Sequence, residues 1–255
     1  MKYWRLCYRG ILLVVHVVLG IMLTLLYRLF RGAEWFQQPS GKRVIRLWMH
    51  VLAKIFGLRV HVHGQAVNGM LVANHVSWLD IVSIDSVLAT RFVAKDDVKR
   101  WPVAGQLSGL SGTFFLRRGS AAAVNSLNRQ IQQALQQGAT VGAFPEGTTS
   151  DGQQILKFHA ALLQPAITIA YPIQPVAIRY MRAGTPDKLA PFLEESFMRN
   201  ALRMLQQGTS EVHLYFGERI DTTGQQRKVL ADLCRARIVD ALEEAARSNG
   251  PTNPA

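Results

Sequence analysis

The chain has 255 residues, of which 49% are hydrophobic, and a formal net charge of +12 at pH 7. It is therefore long enough to bury one α/β core and still keep apolar residues for other surfaces. Residues 1–60 contain ten Lys or Arg residues and a single acidic residue, Glu34, and so carry +9 of the net charge. This asymmetry indicates contact with anionic phospholipid and argues against nucleic acid as a partner, which would favour positive charge and stacking aromatics spread across the folded domain.

The first predicted element is an apolar helix over residues 10–27, a run of eighteen uncharged residues between Arg9 and Arg28. As a helix it would be about 27 Å long, just under the roughly 30 Å hydrocarbon core of a bilayer. The run predicts either one membrane crossing or a helix lying in the membrane plane. His16 and the flanking basic residues are the reason to consider the in-plane helix. A cleaved signal peptide fits less well, because no A-x-A-like site follows the run.

The second predicted element is an amphipathic helix over residues 44–58. Its apolar residues recur at i+3 and i+4 spacing, while Arg43, Arg46, His50 and Lys54 gather on the opposite face. Such a helix can lie at the membrane interface or pack on the domain that follows, and the sequence leaves both interpretations open. We expect residues 1–58 as a whole to form a membrane-anchoring helical segment.

Strand-like and helix-like patterns alternate after residue 58. The predicted strands are 59–63, 70–73, 91–95, 113–116, 140–144, 173–180 and 211–216, and the predicted helices are 77–88, 120–137, 189–207 and 225–247. This alternation predicts one α/β domain over residues 59–247, with a mixed, largely parallel sheet flanked by helices. Residues 248–255 are predicted to be a disordered tail.

The run Asn74-His75-Val76-Ser77-Trp78-Leu79-Asp80 follows the apolar strand 70–73 directly. With His75 in a turn and Asp80 in the first turn of the next helix, the two side chains can meet. A neutral imidazole whose Nδ1–H is held by a carboxylate presents Nε2 as an acceptor for the proton of a hydroxyl. The alternative is structural, with Asp80 complementing the helix dipole and His75 serving as an ordinary loop residue.

A second polar turn, Pro145-Glu146-Gly147-Thr148-Thr149-Ser150-Asp151-Gly152, follows the buried strand 140–144. Its two glycines and three hydroxyls suit a loop that cradles an anion, although a plain surface turn has the same composition. Because both polar turns follow strands of the same sheet, we expect them to lie together at one edge.

Basic residues lie between the two turns. Lys95 ends one predicted strand, and Arg117 and Arg118 directly follow another. A pair of guanidinium groups can bind phosphate in bidentate fashion, or it can simply be the solvated end of a strand.

In this order and spacing the residues resemble the glycerolipid acyltransferase family, which includes the 1-acylglycerol-3-phosphate acyltransferases. Four blocks carry the resemblance: His75 and Asp80 in N-H-x-x-x-x-D; Lys95, Pro102, Gly105 and Arg118 in the second block; residues 144–148 in F-P-E-G-T; and residues 173–178 in the proline-containing strand. The resemblance covers roughly residues 60–180. Any one block would be weak evidence, whereas four in series are specific.

The resemblance implies a membrane-bound enzyme that moves a fatty acyl group from a thioester, on acyl carrier protein or coenzyme A, to the free hydroxyl of a lysolipid. His75 would be the general base and Asp80 would orient it. Lys95, Arg117 and Arg118 would hold the charge of the acceptor. Residues of the F-P-E-G-T block would complete the site: Glu146 by ordering the loop or the head group, and Gly147 and Thr148 by binding substrate, with nearby backbone N–H groups on the thioester oxyanion.

The partners implied are membrane phospholipid, the lysolipid acceptor and the thioester donor, at the inner membrane with the catalytic domain on its cytoplasmic face. No cofactor or metal is implied, and Cys7 and Cys234 lack metal-type spacing. Lysophosphatidate is the first-choice acceptor. Lyso-ornithine lipid is the alternative, because Thr149 stands where many phosphatidate-forming members carry arginine. A non-catalytic lipid-binding protein on the same scaffold is a further alternative.

Overall fold

A computed structural model of the chain describes residues 2–32, 35–101, 104–116 and 121–248. The helices are α1 (Lys2–Arg31), α2 (Pro39–Ile55), α3 (Leu79–Asp85), α4 (Ala104–Leu110), α5 (Ala121–Gln136), α6 (Gln164–Thr168), α7 (Phe197–Gln206) and α8 (Arg227–Ser248). The strands are β1 (Leu58–His63), β2 (Met70–Ala73), β3 (Arg91–Lys95), β4 (Phe114–Leu116), β5 (Val141–Ala143), β6 (Ile173–Arg182), β7 (Thr185–Pro186) and β8 (Ser210–Phe216).

The strands form one sheet in the order β1-β8-β6-β2-β5-β3-β4, with β7 paired to the end of β6. The pairings of β6 with β7 and with β8 are antiparallel, and the other described pairings are parallel. The prediction of a mixed, largely parallel sheet flanked by helices is therefore confirmed. Because β2 and β5 are parallel neighbours, their carboxyl ends lie at the same edge of the sheet.

All four residues of β2 are buried, as expected for a central strand covered on both faces. Leu71 and Ala73 belong to a core cluster shared with α2, α3 and α7, while Met70 and Val72 belong to a second cluster shared with α5, α6 and α8. Alternate residues of the strand thus point to opposite faces, and two hydrophobic layers fix the strand that leads to His75.

Helix α1 extends beyond the predicted run in both directions and packs one side on the domain. The Arg9 guanidinium donates to the carbonyl oxygens of Leu205 at 3.3 Å and Gln207 at 2.8 Å. The imidazole of His16 stacks on Trp48 of α2 with 3.5 Å between ring centroids. The opposite side is apolar and exposed, through Ile11, Val14, Val15, Val18, Met22 and Leu25 among others. Within the described residues, α1 is the helix whose length and composition would suffice for a membrane crossing.

Helix α2 begins five residues before the predicted amphipathic helix and ends three residues earlier. Ala53 and Ile55 are buried in the domain core, whereas Leu47 is 67% exposed. The helix therefore packs on the domain, as one interpretation held, while some of its apolar side chains stay exposed. A position at the membrane interface stays a prediction.

The predicted helix 189–207 is wrong over its first half. Residues 189–196 form a loop that crosses to the turn after β2, where the N–H of Phe192 donates to the carbonyl of Val76 at 2.9 Å. Pro191 lacks the N–H that a helix would use at that position. Ser196 then caps α7, because its hydroxyl accepts from the Arg199 N–H at 3.3 Å.

The other differences are smaller. Helix α3 is shorter than the predicted 77–88, β6 continues to Arg182, and α4 was not predicted. Position 105 of α4 has no room for a side chain larger than that of glycine, because a Cβ there would approach the carbonyl oxygens of Lys99 and Val98 to 2.4 and 2.5 Å. Helix α8 ends at Ser248, and the rest of the predicted tail lies outside the described residues.

Candidate active site

The turn after β2 is fixed by Asn74, which is fully buried. Its side-chain amide donates to the carbonyl of Ile178 at 3.0 Å, and its carbonyl oxygen accepts from the N–H of Ile178 at 2.7 Å. The side chain thus continues the pairing of β2 with β6 past the last residue of the strand. His75 follows at once, so its position is set by the sheet.

His75 and Asp80 are in contact, with 2.8 Å between Nδ1 and Oδ2. The same oxygen accepts from the N–H groups of Val76 at 2.7 Å and Ser77 at 3.0 Å, while Oδ1 accepts from the hydroxyl of Tyr180 at 2.7 Å. Asp80 is fully buried in the first turn of α3. Four hydrogen bonds thus compensate for its removal from water and hold it against the imidazole.

Tyr180 is the partner of Asp80 that the sequence did not reveal. Burial, together with the charge of Asp80, raises the pKa of the phenol well above its usual value, so the group remains a proton donor. The alternation of β6 could have signalled its position, since Tyr180 shares a sheet face with Val176 and Ile178. The hundred residues between Tyr180 and Asp80 hid the contact.

The imidazole of His75 is 19% exposed and lies flat against Phe144, with ring centroids 4.1 Å apart. Phe144 in turn lies parallel to Phe92 at 5.5 Å. Since Nδ1 is held by Asp80 and one ring face is covered, Nε2 is the atom left for a substrate. No hydrogen bond between described residues involves Nε2.

Glu146 is buried and connects the two polar turns. Its Oε1 accepts from the N–H of His75 at 2.8 Å, and its Oε2 accepts from the N–H of Leu156 at 3.1 Å. Burial raises the pKa of this carboxyl, and the hydrogen bonds from the two backbone N–H groups act in the opposite direction. Both oxygens are therefore engaged within the protein, which suits ordering of the loop better than contact with a head group.

The turn after β5 packs on the turn after β2. The N–H of Ser150 donates to the carbonyl of His75 at 2.8 Å, and the Thr149 hydroxyl donates to the carbonyl of Phe192. Gly147 adopts a φ of +69°, and its N–H donates to the Phe144 carbonyl at 3.1 Å. Thr148 is exposed, and its N–H has no partner among the described residues.

Of the three basic residues predicted to bind the acceptor, the structure describes Lys95. Lys95 is exposed at the carboxyl end of β3, which is separated from β2 by β5 alone. It pairs in register with Leu116, the last residue of β4. Arg117 and Arg118, and Pro102 of the same block, lie outside the described residues.

Comparison with known proteins bears on this geometry. The Acyltransferase family model matches residues 59–179. The chain is 36% identical over 196 residues to a lyso-ornithine lipid O-acyltransferase of Pseudomonas aeruginosa, covering 76% of each chain. It is 42% identical over 146 residues to a 1-acyl-sn-glycerol-3-phosphate acyltransferase of Neisseria meningitidis, covering 56% of this chain and 57% of the other.

The fold is also that of a solved structure. The crystal structure of the 1-acyl-sn-glycerophosphate acyltransferase from Thermotoga maritima matches with a TM-score of 0.66 and 20% identity, over 95% of this chain and 98% of the other. At 20% identity this match shows a shared fold. The sequence relatives and the order of the four blocks establish that this chain belongs to the glycerolipid acyltransferase family.

Proposed function

We propose that this protein is a membrane-bound lysolipid O-acyltransferase, which transfers a fatty acyl group from the thioester of coenzyme A or acyl carrier protein to the free hydroxyl of a lysolipid. The observation that carries the proposal is the contact of 2.8 Å between His75 Nδ1 and Asp80 Oδ2, with Nε2 left for the acceptor. A base oriented by a buried carboxylate is the arrangement that activates hydroxyl nucleophiles.

The acceptor hydroxyl gives its proton to Nε2 of His75 as its oxygen attacks the thioester carbon. The tetrahedral intermediate then collapses, the C–S bond breaks, and the departing thiolate recovers the proton from the imidazolium. Asp80 stabilises the imidazolium throughout. Because the acceptor itself is the nucleophile, no covalent enzyme intermediate is needed. Ser77 is fully buried, which suits a structural role.

Negative charge develops on the thioester oxygen during attack, and preorganised N–H groups stabilise such charge. The N–H of Gly147 is occupied by the Phe144 carbonyl, whereas that of exposed Thr148 is not occupied by any described residue. We therefore assign the oxyanion contact to Thr148. Gly147 sets the turn that presents it.

Lysophosphatidate is the first acceptor that we propose, with phosphatidate as product. Lys95, Arg117 and Arg118 would supply positive charge for its phosphomonoester, and phosphate is well matched by guanidinium groups. The Neisseria meningitidis relative carries this activity in its name.

Lyso-ornithine lipid is the second candidate, and a cavity lined in part by Asp151, in the turn after β5, favours it. The cavity has a volume of about 420 Å³. Side chains of both signs line it, including Asp151, Lys188, Glu194 and Arg199. Such a lining suits a head group that bears both an amine and a carboxylate. The relative from Pseudomonas aeruginosa is named a lyso-ornithine lipid O-acyltransferase, and it matches over 196 residues, against 146 for the relative from Neisseria meningitidis.

A paired assay of lysophosphatidate and lyso-ornithine lipid with one acyl donor separates the acceptors. If lysophosphatidate is the acceptor, wild type forms phosphatidate and Arg118→Ala loses most of that activity. Activity confined to lyso-ornithine lipid would reject lysophosphatidate and leave the acyltransferase proposal intact. Failure of both acceptors with either thioester would contradict the proposal itself.

We propose that the protein works at the inner membrane with its catalytic domain facing the cytoplasm. The exposed apolar side of α1 and the +9 charge of residues 1–60 support attachment to anionic lipid. The packing of Arg9 on the domain and of His16 on Trp48 of α2 favours a helix lying in the membrane plane over a crossing. Extraction of the protein from membranes by alkaline carbonate would support the in-plane helix, whereas full retention would support a crossing.

A further inference from the structure

A group of imidazoles lies on the sheet away from the proposed active site, on edge strand β1 and its neighbour β8. The parallel register sets His61 opposite His213 and Arg59 opposite Glu211. Since side chains alternate along a strand, His61, His213 and Glu211 share one face of the sheet. Strands β8 and β6 separate β1 from β2, and none of these residues takes part in the proposed transfer.

The spacing of their donor atoms fits a metal ion. One ligand atom from each of His61, Glu211 and His213 lies within 4.8 Å of the other two. Ligands of tetrahedral zinc, at about 2.1 Å from the ion, are roughly 3.4 Å apart. Rotations that move these side-chain atoms by about an ångström would therefore close the site. All three side chains are only partly buried, so the rotations do not disturb the core.

Each of the three residues also has a nitrogen or oxygen atom available as a metal ligand. His61 Nε2 is buried without a hydrogen-bond partner among the described residues. Glu211 directs Oε1 towards Arg59 Nη1 at 3.7 Å and Oε2 towards His213 Nε2 at 4.0 Å. The carboxylate therefore has one oxygen for its ion pair and another for a metal.

His63 holds the remaining nitrogen of His213. Its Nε2 lies 3.1 Å from His213 Nδ1, a contact that leaves Nε2 of His213 facing Glu211. Histidine ligands generally have the second ring nitrogen fixed in this way.

We propose that His61, Glu211 and His213 form a binding site for a borderline divalent cation such as Zn²⁺, with His63 as a positioning residue. Two imidazoles and one carboxylate suit zinc and leave a position for water, whereas Mg²⁺ and Ca²⁺ prefer sites made of oxygen ligands. Arg179 of β6 lies opposite His213 and adds positive charge nearby, so binding is expected to be weaker than at an all-protein structural zinc site.

A bound ion would join edge strand β1 to β8. Because β1 follows α2 directly, the ion would also hold the junction between the anchoring helices and the domain. Binding to the folded chain alone raises stability by mass action, so the melting temperature should rise with Zn²⁺ concentration.

The test uses untagged full-length protein in detergent, stripped with a chelator and titrated with Zn²⁺ or Mg²⁺ by calorimetry. Wild type should bind one Zn²⁺ per chain and show no comparable response to Mg²⁺. His61→Gln and His213→Gln should each lose at least about tenfold in affinity, and His63→Gln should lose about 10–100-fold. His50→Gln, at an exposed histidine of α2, and His75→Gln, at the proposed base, should bind as wild type does.

Replacement by Co²⁺ gives a second measurement, since the visible absorption of a four- or five-coordinate site should appear in wild type and vanish in His61→Gln. Far-UV circular dichroism of each variant checks its fold. Wild type that binds no stoichiometric Zn²⁺, or binding left unchanged in both His61→Gln and His213→Gln, would overturn the proposal. Neither result depends on the acyl acceptor.

Discussion

The carboxylate of Asp80 is fully buried and receives four hydrogen bonds, whereas charged side chains that line the neighbouring cavity, such as Asp151, Lys188 and Arg199, are exposed. The two regions meet at the Ser150–His75 backbone hydrogen bond, yet they are built differently. Backbone groups and one buried phenol fix the proposed base. The cavity is lined in part by exposed charged side chains of both signs.

This difference separates the reaction from its specificity. General-base chemistry requires a base in a single geometry, which a buried network provides. Head-group recognition instead depends on charges at the rim, which can change without disturbing the buried network. Substitutions in the first region should therefore remove turnover, and substitutions in the second should change the preference among acceptors.

Removal of the proposed base should have the largest effect. His75→Ala is expected to lower kcat by about 10²–10⁴ while the protein stays folded and membrane-bound, because general-base assistance is worth that much. Asp80→Asn should also lower kcat, and the double variant should lose less than the product of the two effects. Single-turnover acyl transfer measures this, with His50→Ala as the control. Near wild-type kcat in His75→Ala would rule out the mechanism.

In the cavity, Asp151→Asn should raise KM for lyso-ornithine lipid by about 10–100-fold with little change in kcat, because it removes a charge-assisted contact to the amine. The asparagine retains an oxygen that can accept from the N–H of Gln153, as Asp151 Oδ1 does at 2.9 Å. Asp221→Asn is a matched control, because Asp221 Oδ1 accepts from the N–H two residues on in the same way. Equal KM values in wild type and Asp151→Asn would remove Asp151 from the head-group site.

The contact between His75 and Asp80 could be predicted from the sequence, because the two residues lie close together in the chain. Asp80 follows His75 by five positions, and a strand, a turn and a helix in series suffice to bring them together. A largely parallel sheet followed from the alternation of elements, and with it the gathering of the two polar turns at one edge. Most strand bounds were also predicted to within a residue or two.

What the sequence did not reveal depends on contacts between distant segments. Tyr180 reaches Asp80 from a strand one hundred residues away, and the loop over residues 189–196 replaces a predicted helix because Phe192 pairs with Val76. The occupied N–H of Gly147 follows from the local backbone of one turn, which composition does not specify. The roles of Arg117 and Arg118 remain predictions.

Tyr180→Phe should have an intermediate effect, because it removes one of the four donors to Asp80 and leaves Oδ1 buried without a partner. Such an acceptor costs about 1–3 kcal/mol of stability. We expect a lower melting temperature and a several-fold loss of kcat, with KM unchanged. Tyr171→Phe is the control, since the Tyr171 hydroxyl has no hydrogen bond with a described residue. Unchanged kcat and stability in Tyr180→Phe would mean that the three other hydrogen bonds suffice to hold Asp80.

The smallest effect is expected at Gly147, where the φ of +69° suits glycine and a Cβ would lie 3.1 Å from the His159 ring. Gly147→Ala should cost about 1–2 kcal/mol through its backbone conformation, with a further loss from this contact. Gly138 is a matched control, because its φ is +76° and a Cβ there meets nothing within 4 Å. Both variants should melt at lower temperature, but only Gly147→Ala should also lower kcat slightly, because it shifts the Thr148 N–H from the proposed oxyanion position. If both variants lost stability and neither lost kcat, the turn after β5 would be part of the scaffold, and the oxyanion contact would have to come from another group.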